Sequence, residues 1–287
     1  MEKINWKFIQ ENSDLILADG LWQLINRPTE SFNNITHNDF GNYLISYDEK
    51  PYYIGEAKDI CQRLKQQFNV KISTFYKNYQ KHLTNNKVLN AVPIDAFKIQ
   101  HISTQLGRKE IEEFGIVNLP TIINSFQLKK REKFLIAYNN GIWDETQKVK
   151  SELLKEGEKE ILKMSFKNWN EYLVHSNPGL YLIKDLNNQL IYIGESSDIS
   201  ERYSTHSNRT YFSALRRHIA TEILSFELKE KNGKKKYLTD LEDSSVTLFL
   251  RGCTAVFYNL NFGRYELEEY LITKYKPLLN RKGNKKE

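Results

Sequence analysis

The chain of 287 residues has little cysteine, no long apolar run and no apolar segment at its start, and each shortage narrows the possible functions. Its two cysteines, Cys61 and Cys253, lie in opposite halves and are too few for a zinc site with four cysteine ligands. No stretch reaches about eighteen consecutive apolar residues, so we expect no membrane-spanning helix. The opening MEKINWKFIQ lacks the apolar core of a secretory signal, and we therefore expect a reduced, cytoplasmic environment.

Basic residues outnumber acidic ones, 42 against 36, which gives a formal net charge of +6 and a pI of about 9.0. This balance favours a polyanionic partner, but it does not identify one, because attraction to phosphates is independent of sequence. Charged residues make up 27% of the chain and hydrophobic residues 40%, which is typical of a globular protein. The length is sufficient for two domains of ordinary size, each with its own core.

The most informative feature is a signature that occurs twice. The first copy, GNYLISYDEKPYYIGEAKDICQRL, spans residues 41–64, and the second, GLYLIKDLNNQLIYIGESSDISERY, spans residues 179–203. An offset of 139 residues places Tyr53 on Tyr192 and keeps the later residues of the signature in register. A duplication at this interval indicates two domains of one kind rather than a solenoid, whose units would be far shorter.

A shorter repeat follows each signature: GRKEIEEF at residues 107–114 and GRYELEEY at residues 263–270. The interval from the signature arginine to the glutamate in this repeat is 49 residues in the first copy and 66 in the second. The second copy therefore carries an insertion of 17 residues in the middle of its domain. This insertion either recognises nucleic acid or is a peripheral addition to the fold.

Local patterns predict the same order of elements in both copies. The segments NYLISY and YYIG, and LYLIKD and LIYIG, have the apolar and aromatic character of paired strands, and DLNNQ is typical of a hairpin turn. Asp59 and Asp198 occupy N-cap positions, so each signature arginine lies one turn inside a helix. Third strands are predicted at residues 96–102 and 254–260, each before the helix that carries the glutamate.

We therefore predict an α+β protein of two tandem modules, each a small antiparallel sheet of about three strands flanked by helices. The predicted boundaries are an N-terminal extension at 1–37, a first module at 38–125, a largely helical, charged linker at 126–174 and a second module with a basic tail at 175–287. The linker is expected to be mostly exposed, because its charges follow a helical period.

The repeated pattern resembles the GIY-YIG nuclease superfamily, whose members combine a GIY-like and a YIG-like tripeptide with a helical arginine, a helical glutamate and an asparagine. The resemblance implies catalytic roles for one such set in each copy: Tyr181, Tyr192, Arg202, Glu268 and Asn280 in the second, and Tyr43, Tyr53, Arg63, Glu112 and Asn124 in the first. The glutamate and the asparagine are twelve residues apart in both copies. Five residue types in the same order, twice, are far more specific than an isolated YIG.

The chemistry of phosphodiester hydrolysis accounts for these residue types. A single helical carboxylate, Glu268 or Glu112, can bind one Mg²⁺ or Mn²⁺ that keeps most of its water ligands. The planar guanidinium of each signature arginine matches a phosphate group. The resemblance implies that Tyr181 takes a proton from the attacking water while Tyr192 orients it. A tyrosine with a pKa near 10 is a poor base, so we expect the arginine and a metal to make the phenolate accessible.

His206 is a further candidate for catalysis, because it follows Arg202 by four residues and shares its helix face. Several members of the superfamily have a histidine here that activates water or contacts phosphate. The first copy has Gln67 at this position, and glutamine cannot carry a proton. We therefore expect the second module to be the catalyst of the two, and the first to be slower, specialised or degenerate.

Basic residues of the second module are candidates for contact with nucleic acid. They are Arg209, Arg216, Arg217, Lys234, Lys235 and Lys236. The alternatives are a solvated loop for the lysines and an amphipathic helix for the arginines. DNA is the expected partner, with RNA as an alternative, and a monomer with two sites could cut both strands. The competing hypotheses are a binding protein with degenerate nuclease domains, and a protein whose first module binds while the second cuts.

Overall fold

The computed structural model describes residues 3–36, 38–86, 91–124, 133–134, 140–172, 175–208 and 210–280. The chain divides into two compact units, Met1–Glu152 and Leu153–Glu287. Both contain small antiparallel sheets flanked by helices, so the predicted α+β class is confirmed. Among the described helices, none is long and apolar enough to cross a membrane.

The first unit has a four-stranded antiparallel sheet with the strand order β1-β4-β2-β3. Its elements are α1 (Trp6–Glu11), α2 (Ser13–Ile25), β1 (Glu30–Ser31), β2 (Gly41–Tyr47), β3 (Lys50–Ala57), α3 (Ile60–Gln67), α4 (Thr74–Asn85), β4 (Lys98–Ser103), α5 (Arg108–Asn118) and α6 (Ile142–Lys148). The helix α7 (Lys150–Leu162) follows, and from Leu153 onwards it belongs to the second unit.

The second unit repeats this arrangement, with the strand order β5-β10-β6-β7. Its remaining elements are β5 (Lys167–Asn168), β6 (Gly179–Lys184), β7 (Leu190–Ser196), α8 (Ile199–Asn208), α9 (Ala214–His218), β8 (Lys229–Lys231), β9 (Lys234–Tyr237), α10 (Asp240–Gly252), β10 (Thr254–Asn259) and α11 (Arg264–Tyr275). The hairpin β8–β9 and the helix α10 lie in the predicted insertion between Arg202 and Glu268.

The predicted hairpins, helix starts and third strands are confirmed. The Asp59 side chain accepts a hydrogen bond from the Gln62 backbone N–H, and Asp198 accepts one from Glu201, so both aspartates cap the helices as expected. The turn between β6 and β7 is closed by Asp185, which accepts two backbone N–H groups of that turn. These caps orient the helices α3 and α8 toward the signature tyrosines.

Each sheet has one more strand than the sequence predicted. The pairs Glu30↔Ile99 and Asn168↔Thr254 add the two-residue strands β1 and β5 beside the third strand. A strand of two residues has no period that a sequence pattern could reveal, which is why it was missed. Both segments come from regions that were predicted to lie outside the modules.

The prediction of a mostly exposed linker helix is wrong. In α6 the indole of Trp143 is buried against Gly20 of α2, where a Cβ atom would lie 2.5 Å from the ring. In α7 the buried residues Leu153, Leu154 and Ile161 form an apolar stripe that packs into the second unit. The abundant charges of this region cover only the outer faces of the two helices, so their apolar faces contribute to the cores.

Candidate active site

A buried tyrosine on the first strand of the hairpin is the centre of the site in the second unit. Tyr181 on β6 lies directly opposite Gly194 on β7, and its ring centroid is 6.0 Å from that of Tyr192. A Cβ atom on Gly194 would lie 2.3 Å from the Tyr181 hydroxyl oxygen. The glycine of the YIG tripeptide is therefore required by the close approach of the phenol to the backbone.

His206 holds the hydroxyl group of this tyrosine. Its Nε2 lies 2.8 Å from the Tyr181 hydroxyl oxygen, and its Nδ1 lies 2.7 Å from Ser213 Oγ. Burial lowers the pKa of His206 to about 3, and the positive charges of Arg202 and Arg216 act in the same direction. His206 is therefore neutral at physiological pH. Because both ring nitrogens are engaged and the side chain is buried, His206 does not itself contact water or phosphate, in contrast to the expected role.

Burial makes both tyrosines weaker acids than expected from the sequence. It raises the pKa of Tyr181 well above its usual value and that of Tyr192 to about 12. The charge of Arg202 acts in the opposite direction, whereas the carboxylate of Glu268 adds to the rise. The protein's own arginine therefore does not outweigh burial, and the expected access to a phenolate requires additional positive charge.

Glu268 is fixed to the hairpin through the residue that follows the YIG tripeptide. The backbone N–H of Glu195 donates to Glu268 Oε1 at 3.1 Å, and Arg264 Nε donates to Glu195 Oε2 at 3.0 Å. Arg264 is buried at the start of α11, directly after Gly263 with its φ of 77°. Sequence reasoning missed Glu195 and Arg264, although both belong to the repeated motifs.

Asn280 serves as a clamp for strand β7. Its Oδ1 accepts the backbone N–H of Ile193 at 2.8 Å, and its Nδ2 donates to the Ile193 carbonyl oxygen at 2.7 Å. The amide thus pairs with the backbone of the YIG segment as a neighbouring strand would. This geometry gives Asn280, which was predicted to be catalytic, a positioning role.

In the first unit, Tyr43 is held by the same arrangement of side chains that forms the frame around Tyr181: a partner for its hydroxyl, a helix-capping serine and a facing glycine. Gln67 Nε2 donates to the Tyr43 hydroxyl oxygen at 3.0 Å, and Gln67 Oε1 accepts from the Phe75 backbone N–H at 3.0 Å and from Ser73 Oγ at 3.4 Å. Tyr43 lies opposite Gly55, and a Cβ atom there would lie 2.5 Å from its hydroxyl oxygen. Gln67 therefore reproduces the geometric role of His206.

The asparagine clamp and the glutamate–arginine contact of the second unit also have counterparts in the first. Asn124 accepts the Ile54 backbone N–H at 2.9 Å and donates to the Ile54 carbonyl at 3.0 Å, while Glu56 Oε2 lies 3.9 Å from Arg108 Nη1. As in the second unit, burial raises the pKa of the tyrosines: that of Tyr53 to about 12, and that of Tyr43 still further, against the opposing charge of Arg63.

Glu112 has a strongly perturbed carboxyl group in the first unit. Burial raises its pKa to about 8, and the neighbouring carboxylates of Glu56 and Glu113 add to the rise. The positive charges of Lys109 and Arg63 only partly offset this effect. This carboxyl group is therefore mostly protonated at neutral pH, and a cation beside it would favour the ionised form.

Carboxylates are the candidate donors for a metal at this site. In the described part of the chain, no group of three or more His, Cys, Asp or Glu residues could hold a metal ion. Glu268, which is partly exposed on α11 beside both tyrosines, fits a Mg²⁺ ion that keeps most of its waters. The residues present are thus compatible with the predicted magnesium or manganese ion, and incompatible with a multi-carboxylate cage.

The structure corrects the prediction that Arg216 contacts nucleic acid. Arg216 is fully buried, and all five of its N–H groups donate to protein oxygens: Thr210 Oγ1, the carbonyl oxygens of His206, Ser207 and Asp243, and Thr247 Oγ1. Its guanidinium also pairs with the Asp243 carboxylate at 3.0 Å. Arg216 therefore ties the end of α8 to the insertion helix α10, and no local sequence pattern predicts that burial.

The other basic candidates have different surroundings. Arg217 is half-buried and donates to the carbonyl oxygens of Thr210 and Tyr211 at 3.1 and 2.6 Å. Lys234 and Lys235 are exposed on β9, and Lys236 beside them is half-buried. Arg209 and the basic tail at 281–287 lie outside the described residues.

A comparison with known protein families finds one family model that matches the segment containing this site. The family model of the GIY-YIG catalytic domain matches residues 165–287, which include the complete set around Tyr181. Neither the curated proteins nor the solved structures contain a match to the chain.

Proposed function

Because the second half of the chain belongs to the GIY-YIG nuclease superfamily, we propose that this protein is a metal-dependent endonuclease that hydrolyses phosphodiester bonds in DNA. The observation that carries the proposal is the hydrogen-bonded frame that holds Tyr181, with Arg202 and Glu268 beside it, inside the matched segment. In this proposal the second unit cuts, and its arginine, glutamate and two tyrosines are the residues that meet the substrate.

Arg202 binds the scissile phosphate. It lies half-exposed on α8, and its positive charge acts on Tyr181, Tyr192 and His206, so it faces the centre of the site. A planar guanidinium can donate two parallel hydrogen bonds to phosphate oxygens. It therefore holds the phosphate beside the Tyr181 hydroxyl and stabilises the charge that grows on it in the transition state.

Tyr181 receives the proton of the attacking water, and His206 fixes the position of the hydroxyl that does so. A neutral imidazole can accept the Tyr181 hydroxyl hydrogen at Nε2 or, as its other tautomer, donate from Nε2 to the phenolate that a nearby cation would make accessible, and this phenolate takes the proton from water. Tyr192, stacked on Tyr181, orients the water. Asn280 and the Arg264–Glu195 pair keep the hairpin and α11 in register for these contacts.

Glu268 is the residue that would hold the divalent cation. When bound there, Mg²⁺ or Mn²⁺ would act as a Lewis acid on phosphate oxygens and add the positive charge that lowers the pKa of the buried tyrosines. Glu112 would have the same role in the first unit, where the carboxylates of Glu56 and Glu113 add negative charge beside it.

The first unit is proposed to be a second module of the same kind, because it repeats the sheet order, the tyrosine–amide frame and the asparagine clamp of the second. With glutamine in place of histidine, it binds DNA and cuts slowly or not at all. Lys234, Lys235, Lys236 and Arg217 are proposed to contact the DNA backbone. A monomer in the cytoplasm would be sufficient for this activity.

The proposal is tested by incubating the protein with supercoiled plasmid in Mg²⁺ or Mn²⁺, and with EDTA as a control. We expect cleavage by the wild type and its loss in Glu268→Gln, which keeps the size of the side chain and removes its charge. The matched control is Glu269→Gln, the same change at the next position of α11, which should cut like the wild type.

A wild type that binds plasmid, single-stranded and branched DNA with a steep salt dependence, yet cuts none of them in either metal, would contradict the nuclease proposal. That result would favour the non-catalytic alternative, in which both units bind phosphate through active sites that no longer catalyse cleavage.

A further inference from the structure

Each unit exposes one large apolar side chain directly before the serine that caps the helix after the site. Phe212 precedes Ser213 and is 64% exposed, and Ile72 precedes Ser73 and is 60% exposed. The two loops otherwise differ in sequence. A single exposed apolar residue is ordinary on a protein surface. Its recurrence at one position of two modules, beside the same site residue, indicates a function in contact with a ligand.

The position of Phe212 relative to the site follows from its neighbour. Ser213 Oγ lies 2.7 Å from His206 Nδ1, and the opposite nitrogen of this ring lies 2.8 Å from the Tyr181 hydroxyl. In the first unit the corresponding serine hydroxyl lies 3.4 Å from the Gln67 oxygen. Phe212 is therefore the direct chain neighbour of the serine that holds the partner of the site tyrosine.

The loop that carries Phe212 is held from two sides. Arg217 donates to the backbone carbonyls of Thr210 and Tyr211, the two residues before Phe212. The buried Arg216 donates from Nε to Thr210 Oγ1 at 2.7 Å. These bonds fix the backbone that presents the phenyl ring, so little conformational entropy is lost when a ligand meets it.

The surroundings of Phe212 are suited to a polyanion. Its ring contacts Tyr211 edge-on, with centroids 4.7 Å apart. The ammonium groups of Lys234 and Lys236, on the hairpin β8–β9, lie 5.8 and 5.5 Å from the centroid of the Tyr211 ring. An exposed phenyl group on a tyrosine that two lysines approach combines an apolar tip with charges that complement phosphates.

We propose that Phe212 is a wedge that inserts between neighbouring bases of duplex DNA beside the scissile phosphate, and that the preferred substrate is DNA whose base stack is already open there. Apolar side chains that enter a base step unstack it, and this costs less at a mismatch or a branch. The inference rests on the proposed nuclease function, because it assigns a substrate class to that site. Ile72 would have the same role in the first unit.

Binding without cleavage provides the first test. Short duplexes with 2-aminopurine at several adenine positions are titrated with the full chain in EDTA, since this base becomes more fluorescent when unstacked. We expect a rise with the wild type and with Phe212→Leu, a smaller rise with Phe212→Ala, and none with the double variant Phe212→Ala/Ile72→Ala at protein concentrations that saturate the duplex. The control Leu186→Ala removes a leucine that is 76% exposed in the β6–β7 turn, and it should behave like the wild type.

Cleavage of matched duplexes provides the second test. We expect Phe212→Ala to cut a fully paired duplex about tenfold more slowly than the wild type, and to recover most of this loss on a duplex with a mismatch at the cut site. A variant that merely disturbed the site would lose activity on both substrates. Equal fluorescence with the wild type and Phe212→Ala would overturn the wedge proposal, as would an equal loss of cleavage rate by Phe212→Ala on the two duplexes. A fluorescence rise with a wild type that cuts neither duplex would retain the wedge proposal and overturn the nuclease proposal.

Discussion

The two units build the same frame around a buried tyrosine and differ in the side chain that completes it. In the second unit the hydroxyl of Tyr181 meets a histidine nitrogen, and in the first the hydroxyl of Tyr43 meets the amide nitrogen of Gln67. Both partners are in turn held by a serine that begins the next helix. The comparison separates the geometry of the site, which glutamine maintains, from its proton chemistry, which glutamine changes.

The chemical difference lies in what the nitrogen can do. The Gln67 Nε2 only donates, so the Tyr43 oxygen must accept and one of its lone pairs is occupied. The neutral imidazole of His206 has one nitrogen that donates and one that accepts, so Nε2 can accept the hydrogen bond of the Tyr181 hydroxyl. In that arrangement the lone pairs of the Tyr181 oxygen stay available to the attacking water, whereas Gln67 occupies one lone pair of the Tyr43 oxygen.

Removing the arginines gives the largest expected contrast between the units. We expect Arg202→Ala to lower the rate of plasmid cleavage on the order of 1000-fold, because the developing phosphate charge loses its guanidinium. Arg63→Ala is the matched change in the first unit, and it should leave the rate close to that of the wild type while weakening DNA binding. Equal losses in the two variants would mean that both units cut.

Exchanging the histidine and the glutamine addresses the difference in proton chemistry. We expect His206→Gln to lower cleavage about 100-fold with little change in DNA affinity, because the geometry is maintained and the acceptor is lost. Gln67→His in that background should recover part of the activity. A His206→Gln protein as active as the wild type would show that the histidine serves only to position Tyr181.

The asparagine clamps should prove equivalent in the two units. Asn280→Ala leaves the buried N–H and carbonyl of Ile193 without the amide, and we expect a loss of about 3 kcal/mol in stability. Asn124→Ala should cost a similar amount through Ile54. Hydrogen exchange of the β7 and β3 peptides measures each loss locally, and unchanged protection in either strand would contradict the role of its clamp.

Acid should destabilise the second unit more than the first. The pKa of His206 is lowered to about 3 in the folded chain, so the unfolded chain binds a proton first as the pH falls below about 6.5. Stability is therefore lost as pH falls through this window. Between pH 7 and 5 we expect the wild type to lose about 2 kcal/mol more than His206→Gln, which has no such group. Urea unfolding at both pH values measures this difference, and parallel losses would contradict it.

Much of the fold and of the site could be predicted from local sequence signals. The caps at Asp59 and Asp198, the turn at 185–189 and the third strands follow short-range rules, and the structure has them where they were expected. The tyrosines, arginines and glutamates were found because they recur in register. Glu195 and Arg264 recur as well, but in the sequence they cannot be told from solvated surface charges, because their ion pair joins residues 69 positions apart.

The remaining features depend on contacts that no local pattern contains. The burial of Arg216 results from its partners on α8, on α10 and in the loop after α8, 6 to 31 residues away, so the basic run led to a wrong prediction for Arg216. Similarly, Trp143 is buried because Gly20, 123 residues earlier, leaves room for its ring. The charge pattern of a helix indicates only which face is exposed to solvent. In α7 it did not reveal the apolar stripe on the opposite face.

The most direct test of which unit cuts is the topology of plasmid products from Glu112→Gln beside Glu268→Gln. If the second unit is the cutting site, Glu268→Gln leaves the plasmid supercoiled, and Glu112→Gln gives the same products as the wild type at a similar rate. If instead each variant only nicks a plasmid that the wild type linearises, both units are nucleases and the contrast between His206 and Gln67 does not decide activity.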